Sequence, residues 1–504
     1  MNCSRRQPSG QILVLTALAM VAVIGSAALA VDVGFLYSAR RQMQTAADAA
    51  AVAGATALRD GQSVTGAAKT GSSLDGFTDG QNNVTVTVNN PPASGTYAGN
   101  SSYVEVIVKQ PTPTYFLSVL GYSSLNVSAR AVSGAVTGPA CIYALDPSAA
   151  SAIGVTGNFN ITASCGIVDD SASSTALNAN GIGTITATSM GVTGNYSATG
   201  IVTLSPTPKI HTAPLGDPLV GRSPPSVGTC TQASSTNSGT DSISGIYTTL
   251  NLTPVVYSSG ISISGIITTL NFAAGTYGNG ITFSGIVTTA NFNPGQYQNG
   301  GGTGASITLS GNTAANFAAG SYTFCGPVSI IGNNTTTLQP GLYVGGISIT
   351  GNANVTFSPG TYILAGGGLA ITGNSTIHGT GVTFYNTSSS SFAYKPINIT
   401  GNETGSLSAP TSGPMEAMLF FQDRSVANIP ANASTVIGNS STSFDGVVYF
   451  PTTGLGFFGN SSSSGYTFLI ADSITLTGNT SMTLGNNYSS LSNGSPIKSS
   501  TLYE

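Results

Sequence analysis

Carboxylates, oxygen-rich triplets and cysteines are the groups in this 504-residue chain that could do chemistry, and spacing decides what each set can do. A site that cleaves polysaccharide needs paired carboxylates, or a calcium ion beside a basic residue. The late acidic residues Glu403, Glu416, Asp423, Asp445 and Asp472 stand singly with Arg424 among them, and Asp423-Arg424 reads as a local ion pair or cap. In VDDSASS, Asp169, Ser171 and Ser173 have the D-x-S-x-S spacing of oxygen ligands that suit Mg2+. The stretch is so rich in Ser that chance explains the match, and no metal is expected there. His211 and His378 have no C-x-x-C partner, and His378 in STIHGTG reads as a turn residue. No catalytic, cofactor-binding or metal-binding residue is therefore expected, and the chain reads as a non-enzyme that needs no cofactor.

The composition is unusual. Charged residues make up 6%, Gly supplies 65 positions, and 40% of the chain is hydrophobic, which argues against disorder. Net charge is -4 and the basic residues are scattered, so nucleic acid is excluded as a partner.

Ile12 to Val31 is a charge-free apolar run, about 30 Å long as a helix, enough to cross a bilayer. Arg5 and Arg6 precede it and Arg40 and Arg41 follow, so charge does not fix its orientation. Ala28-Leu29-Ala30 also fits a signal-peptidase site, and retention or cleavage after Ala30 stays open. Either way the rest of the chain is expected outside the cytoplasm. Cys3 stays inside, leaving Cys141, Cys165, Cys230 and Cys325 in an oxidising compartment. Four cysteines allow three pairings. Cys141 and Cys165, separated by about one repeat, are the favoured pair; the partners of Cys230 and Cys325 stay open.

The helix should run on to about Leu58, because GFLYSARRQMQTAADAAAVAGATAL is rich in strong helix formers and lacks Pro. Arg6, Gly10-Gln11, the apolar run and AVDVGFLYSARRQMQTAADAAAVAGA together resemble the N-terminal segment of TadG-like proteins of the Tad (tight adherence) or Flp pilus-assembly family. The resemblance covers residues 5 to 58 and implies a membrane-anchored, extracytoplasmic protein linked to pili. Leu15 stands where prepilin processing after Gly10 would need Glu.

Residues 61–138 read as a small α+β, pilin-like domain with strands at Val84–Val88, Tyr103–Val108 and Leu125–Val132. Beyond it, SGIYTTLNLTPVVY, SGIITTLNFAAGTY and SGIVTTANFNPGQY begin at Ser244, Ser264 and Ser284, and later copies carry Gly-Asn at Asn312, Asn333, Asn352 and Asn374. Further Gly-Asn pairs lie at Asn158, Asn195, Asn402, Asn439, Asn460 and Asn479. A period near twenty marks a solenoid. Short alternating segments separated by Gly-Asn and Pro-Gly turns predict a right-handed parallel β-helix over 139–504, of roughly twelve to fifteen coils. Equivalent residues in stacked coils lie about 4.8 Å apart, so the turn asparagines should form a hydrogen-bonded ladder. Like charges at that spacing would repel by roughly 3 kcal/mol, which accounts for the absence of Asp, Glu, Lys and Arg between 242 and 394.

The expected organisation is thus a membrane anchor with continuing helix at 1–60, the α+β domain at 61–138, and the all-β solenoid at 139–504. The small domain is expected to cap one end of the solenoid, and loops at 403–417 to project as the contact surface. The functional expectation is a non-catalytic cell-envelope protein tied to Tad/Flp pilus assembly or surface adhesion. It would be held in the membrane by its N-terminal helix and would meet pilus or envelope proteins or surface glycans. The alternative is an exported carbohydrate-binding or carbohydrate-active β-helix protein, which a carboxylate cluster in an open cleft would favour.

Overall fold

The computed structural model describes residues 9–503 apart from 60, 138–139, 231–241, 253–256, 258–259, 274–276, 299–303 and 463–464. Cys3, Arg5 and Arg6 lie outside the described residues. The chain divides into two units, one of residues 1–137, 219–221 and 497–504, the other of 138–218 and 222–496.

In the first unit, α1 (Ser9–Arg59) is a single 51-residue helix. The side chains of its apolar run from Leu13 to Ile24 are exposed, whereas Met43, Ala46, Ala47, Ala50, Ala51 and Ala55 farther along are buried. Alanine at these positions lets neighbours come close. In α2 (Val64–Leu74), a Cβ on Gly71 would lie 3.1 Å from that of Ala53, so the missing side chain sets the helix spacing. The same α1 stripe covers an antiparallel sheet of β1 (Thr85–Asn89), β2 (Tyr103–Pro113) and β3 (Ser124–Thr137), whose Val86, Val104, Val106, Val108 and Ala131 complete the core. A fourth strand, Lys498–Leu502, pairs antiparallel with the end of β3. The chain end therefore belongs to this sheet rather than to the solenoid assigned to 139–504. The segment lacks the Gly-Asn turn that holds a coil in register, and the free edge of β3 supplies its hydrogen bonds.

The second unit is a β-solenoid of about 14 turns. One interior coil shows its construction: strands Ile347–Gly351, Asn354–Phe357 and Gly360–Ala365 pair in parallel with the equivalent strands before and after. Ile347, Ile349, Val355, Phe357 and Tyr362 point inward and are buried, while the alternating Ser348, Thr350, Asn354 and Thr356 do not enter the core. Inward aromatic rings stack from coil to coil, through Tyr257, Tyr277, Tyr297, Phe324, Tyr343, Tyr362, Phe384 and Phe420, with centroids 4.7 to 5.8 Å apart. Gly351 has a φ of 98° and a Cβ on it would meet the backbone of Gly332 at 3.0 Å, so both backbone conformation and space favour glycine there.

The order of coils in space is not their order in sequence. The unit begins with β4 (Ala140–Ala144), β5 (Ile153–Ala163), β6 (Gly166–Asp169), β7 (Leu177–Thr186), β8 (Met190–Val192) and β9 (Tyr196–Ser205), which stack β5 on β7 on β9. The next coil in sequence, at Ile246–Asn251, joins the opposite end, and the chain winds back until its last long strand, Thr467–Leu484, stacks on β4 and β5. The first coil in sequence is thereby an interior coil. Neither end of the solenoid is the one expected from sequence: the ends are the β9 coil and the Ile246–Asn251 coil.

Candidate functional site: an asparagine column and a returning strap

Because each coil places its turn at the same point, the residue after the turn glycine recurs as a column on the outside of the stack. Asn333 Nδ2 donates to Asn312 Oδ1 at 3.1 Å, Asn352 to Asn333 at 3.2 Å, Asn374 to Asn352 at 3.3 Å and Asn402 to Asn374 at 3.1 Å. Each interior amide donates once and accepts once, so all dipoles point the same way along the stack. The side chains of Asn439 and Asn460 lie outside the described residues. Asn195 does not join the column; its side chain accepts from the N–H of Tyr196.

A second column escaped the sequence reading. Asn271 donates to Asn251 at 2.7 Å, Asn291 to Asn271 at 2.7 Å and Asn316 to Asn291 at 3.1 Å. Its signal was present in the recurring Leu-Asn-Leu, Leu-Asn-Phe and Ala-Asn-Phe triplets, each at the same place in its repeat.

Residues 206–230 have no repeat character and carry the chain from the β9 end back along the stack. Asp170 accepts the backbone N–H groups of Leu215 and Gly216, each at 2.8 Å. Asp217 then meets the Tyr449 hydroxyl and lies 3.8 Å from Arg424 Nε. Arg424 lies over the rings of Phe421 and Tyr449, and its Nη1 donates to the Arg222 carbonyl at 2.9 Å. Arg222 in turn donates to the Glu416 carbonyl at 2.9 Å. Finally Cys230 is disulfide-bonded to Cys325 and packs against Leu342, Val344 and Ala365. This strap ties together coils formed by segments far apart in sequence. The second disulfide, Cys141–Cys165, joins neighbouring coils with Cα atoms 5.7 Å apart.

The late charged residues serve this framework. Arg424 is committed to Asp217 and two aromatic rings rather than to its neighbour Asp423, which accepts from Thr387 Oγ1 at 2.6 Å and the Ser425 N–H at 2.9 Å. Of the local ion pair or cap expected at 423–424, Asp423 makes the cap at Ser425, while Arg424 pairs at long range because the two side chains leave the chain in different directions. Glu403 is buried, and loss of water pushes its carboxyl pKa up. Strand Thr404–Ser408 pairs on both sides and Leu407, Ala409 and Ala417 are buried, so the first part of 403–417 is a coil and only the exposed turn at Thr411–Pro414 answers to the expected loop. Gly405, Pro410, Gly413 and Pro414 all resemble turn chemistry, but the strand that opens the segment occupies a regular coil position.

Asp169, Ser171 and Ser173 are brought together as a chain of turns. The Ser171 N–H donates to Asp169 Oδ1, Ser171 Oγ donates to the Ala149 carbonyl, and the Ser173 N–H donates to Ser171 Oγ. Burial pushes the Asp169 carboxyl up to about 6, with the nearby Asp170 and Asp146 carboxylates adding to it, and burial with Asp146 close by raises that of Asp472. Asp146 caps the Ser148–Ala149 turn, Asp170 holds the strap and Asp472 accepts from Asn428, while Asp169 Oδ2 is buried without a hydrogen-bond partner. No group of three or more metal-competent side chains occurs among the described residues.

No curated protein and no solved structure matches this chain. Residues 10–57, nearly the whole of α1, match the Tad family, putative Flp pilus-assembly TadE/G-like proteins, and it is to that family that the N-terminal segment of this β-solenoid protein is similar.

Proposed function

We propose that this chain is a non-catalytic, membrane-anchored protein of the bacterial cell envelope that works with a Tad/Flp pilus-assembly system. In this reading the solenoid lies outside the cytoplasm and presents its amide columns as a surface for adhesion, spacing or assembly. The observation that carries the reading is the coincidence, in one helix, of the Tad-like segment at 10–57 with an apolar stretch whose side chains are exposed. Two disulfides support an oxidising compartment for the solenoid. Support for a non-catalytic role comes from Asp146, Asp170, Asp423 and Asp472, whose carboxylates accept hydrogen bonds from turns, strap and neighbouring side chains.

Cell fractionation, surface labelling with a membrane-impermeant reagent and N-terminal sequencing test this together. The expected result is a membrane-bound chain that keeps residues 12–31 and is labelled on its solenoid in intact cells or spheroplasts. A soluble mature protein beginning at Val31, or a solenoid labelled only after lysis of the inner membrane, contradicts it.

A further inference from the structure

The outer column that is asparagine in the interior of the solenoid changes to isoleucine at both ends. Toward one end, Asn158 is followed by Ile182 and Ile201 in register. Toward the other, the column runs Ile286, Ile266 and Ile246. All five isoleucines are exposed, Ile201 at 73% and Ile246 at 80%. Exposed isoleucine in place of a hydrogen-bonded amide is unfavourable in water unless something covers it.

The two end strands share further properties. Among the described residues β9 pairs only with β7, and Ile246–Asn251 only with Ile266–Phe272, so each offers a row of unpaired backbone groups. Neither strand holds a charged residue or a proline, the usual guards of a free edge. Inward-facing Val202 and Leu204 at one end, and Tyr247 and Leu250 at the other, are incompletely covered, whereas the interior equivalents Ile267 and Leu270 are buried. Gly200 and Gly245 precede the two isoleucines with φ of 97° and 124°, so both ends make the turn in the same left-handed way. Finally, the direction of winding from Ile246 to Leu484 continues without reversal through β5, β7 and β9. The free edge of β9 is therefore where a coil of the Ile246 type would come next.

We infer that the partner of each end is the opposite end of a second copy of this chain. Strand Ile246–Asn251 of one copy stacks in parallel on β9 of the next, Gly245 over Gly200 and Ile246 over Ile201, and joins the two isoleucine columns. Because the contact joins unlike surfaces and preserves winding direction, it does not close and builds an open, head-to-tail fibre. Association through like ends would run the strands antiparallel and lose the glycine register.

The test uses the full chain in detergent micelles with Cys3→Ser. Wild type is expected to form concentration-dependent oligomers in sedimentation, and I201K or I246K alone to prevent them with unchanged circular dichroism and thermal unfolding. I201C and I246C chains are expected to form disulfide-linked dimers when mixed and not when oxidised separately. A wild type that stays monomeric at all concentrations overturns the inference, and so do dimers formed equally by either variant alone.

An independent observation in the first unit carries a second inference. Asp32, one residue beyond the apolar run, is buried and accepts the backbone N–H groups of Tyr115, Phe116 and Leu117, and Phe35 packs on Tyr115 with centroids 5.1 Å apart. This fixes the charge-free loop 115–122 at the end of the membrane-crossing stretch. There it exposes Tyr115, Phe116, Val119, Leu120 and Tyr122. Tyrosine and phenylalanine on an apolar loop at that height match the headgroup region of a bilayer. We propose that this loop inserts into the lipid surface and holds α1 against tilting; the proposal rests on the membrane-anchored reading.

The chain contains no Trp, so single tryptophans report cleanly in nanodiscs with brominated lipid. V21W is expected to be quenched by deep bromines, V119W by shallow ones, and L74W, on the exposed end of α2, by neither. Quenching of V21W without V119W overturns the loop proposal alone, whereas loss of quenching at both sites overturns the anchor as well.

Discussion

Asn158 Nδ2 donates to Asn479 Oδ1 at 3.1 Å although 321 positions separate the two residues. The contact lies where Thr467–Leu484 stacks on β5, so the last coil in sequence is the seat for the first. Between β4 and β9 no other coil is available as a template on that side. Folding of the N-terminal coils is thereby linked to completion of the C-terminal one.

Leu476→Asp should expose this linkage, because Leu476 is buried opposite Val155 and an unpaired carboxylate there costs several kcal/mol. Hydrogen exchange is expected to lose protection over residues 140–205 as well as 467–484. Loss confined to 467–484 would show that the N-terminal coils hold together alone.

Asn352→Ala removes one donated and one accepted hydrogen bond from the exposed column, and should cost about 1–2 kcal/mol in denaturant unfolding. Asn312, which accepts from Asn333 at the start of the asparagine run, should cost about half as much. Equal effects at the two positions would mean that the amides act singly and not as a ladder.

Cys230→Ser with Cys325→Ser opens a covalent loop spanning 95 positions. For loops of that size the chain-entropy estimate is on the order of 4–5 kcal/mol, and the melting temperature should fall accordingly. Reductant should lower the wild-type value toward that of the variant, with the Cys141–Cys165 bond accounting for any remainder.

Asp169 is buried and its carboxyl is pushed up to about 6, with burial the largest cause. A folded-state pKa above the usual carboxylate value means that its contribution is fully favourable below about pH 4 and is lost as pH rises through 6. The loss is about 3 kcal/mol at most. Asp169→Asn should therefore raise the melting temperature at pH 7 and leave it nearly unchanged at pH 4. A shift of the same size at both values would separate the effect from titration.

Deletion of residues 403–417 should abolish accumulation of folded protein, because the segment supplies strand Thr404–Ser408, which pairs with Thr376–Thr380 on one side and with the strand Ser434–Ser462 on the other. Circular dichroism and protease resistance of the deleted chain read this directly. A folded, protease-resistant deletion variant would return the segment to the surface.

The sequence by itself determined the grammar of the molecule. Local rules suffice for a helix without Pro, for strands that alternate at Ile347 and Ile349, and for turns that need Gly351, because each depends on residues a few positions away. A repeat adds one long-range fact for free: residues one period apart must stack, so the column Asn312, Asn333, Asn352 and Asn374 could be named from spacing alone. The second column at Asn251 and Asn271 obeys the same rule at a spacing of twenty, but its asparagines lie on strands, with no neighbouring turn glycine to mark them. What only the tertiary structure decided is the order of the coils. One coil edge offers nearly the same hydrogen bonds and apolar surface as another, so period does not say that Thr467–Leu484 stacks on Ile153–Ala163, or that Lys498–Leu502 leaves to pair with β3. The strap that links the ends of that order is held by single side chains, Asp170, Asp217, Arg424 and Cys230, whose partners lie a distance along the chain that no local pattern encodes.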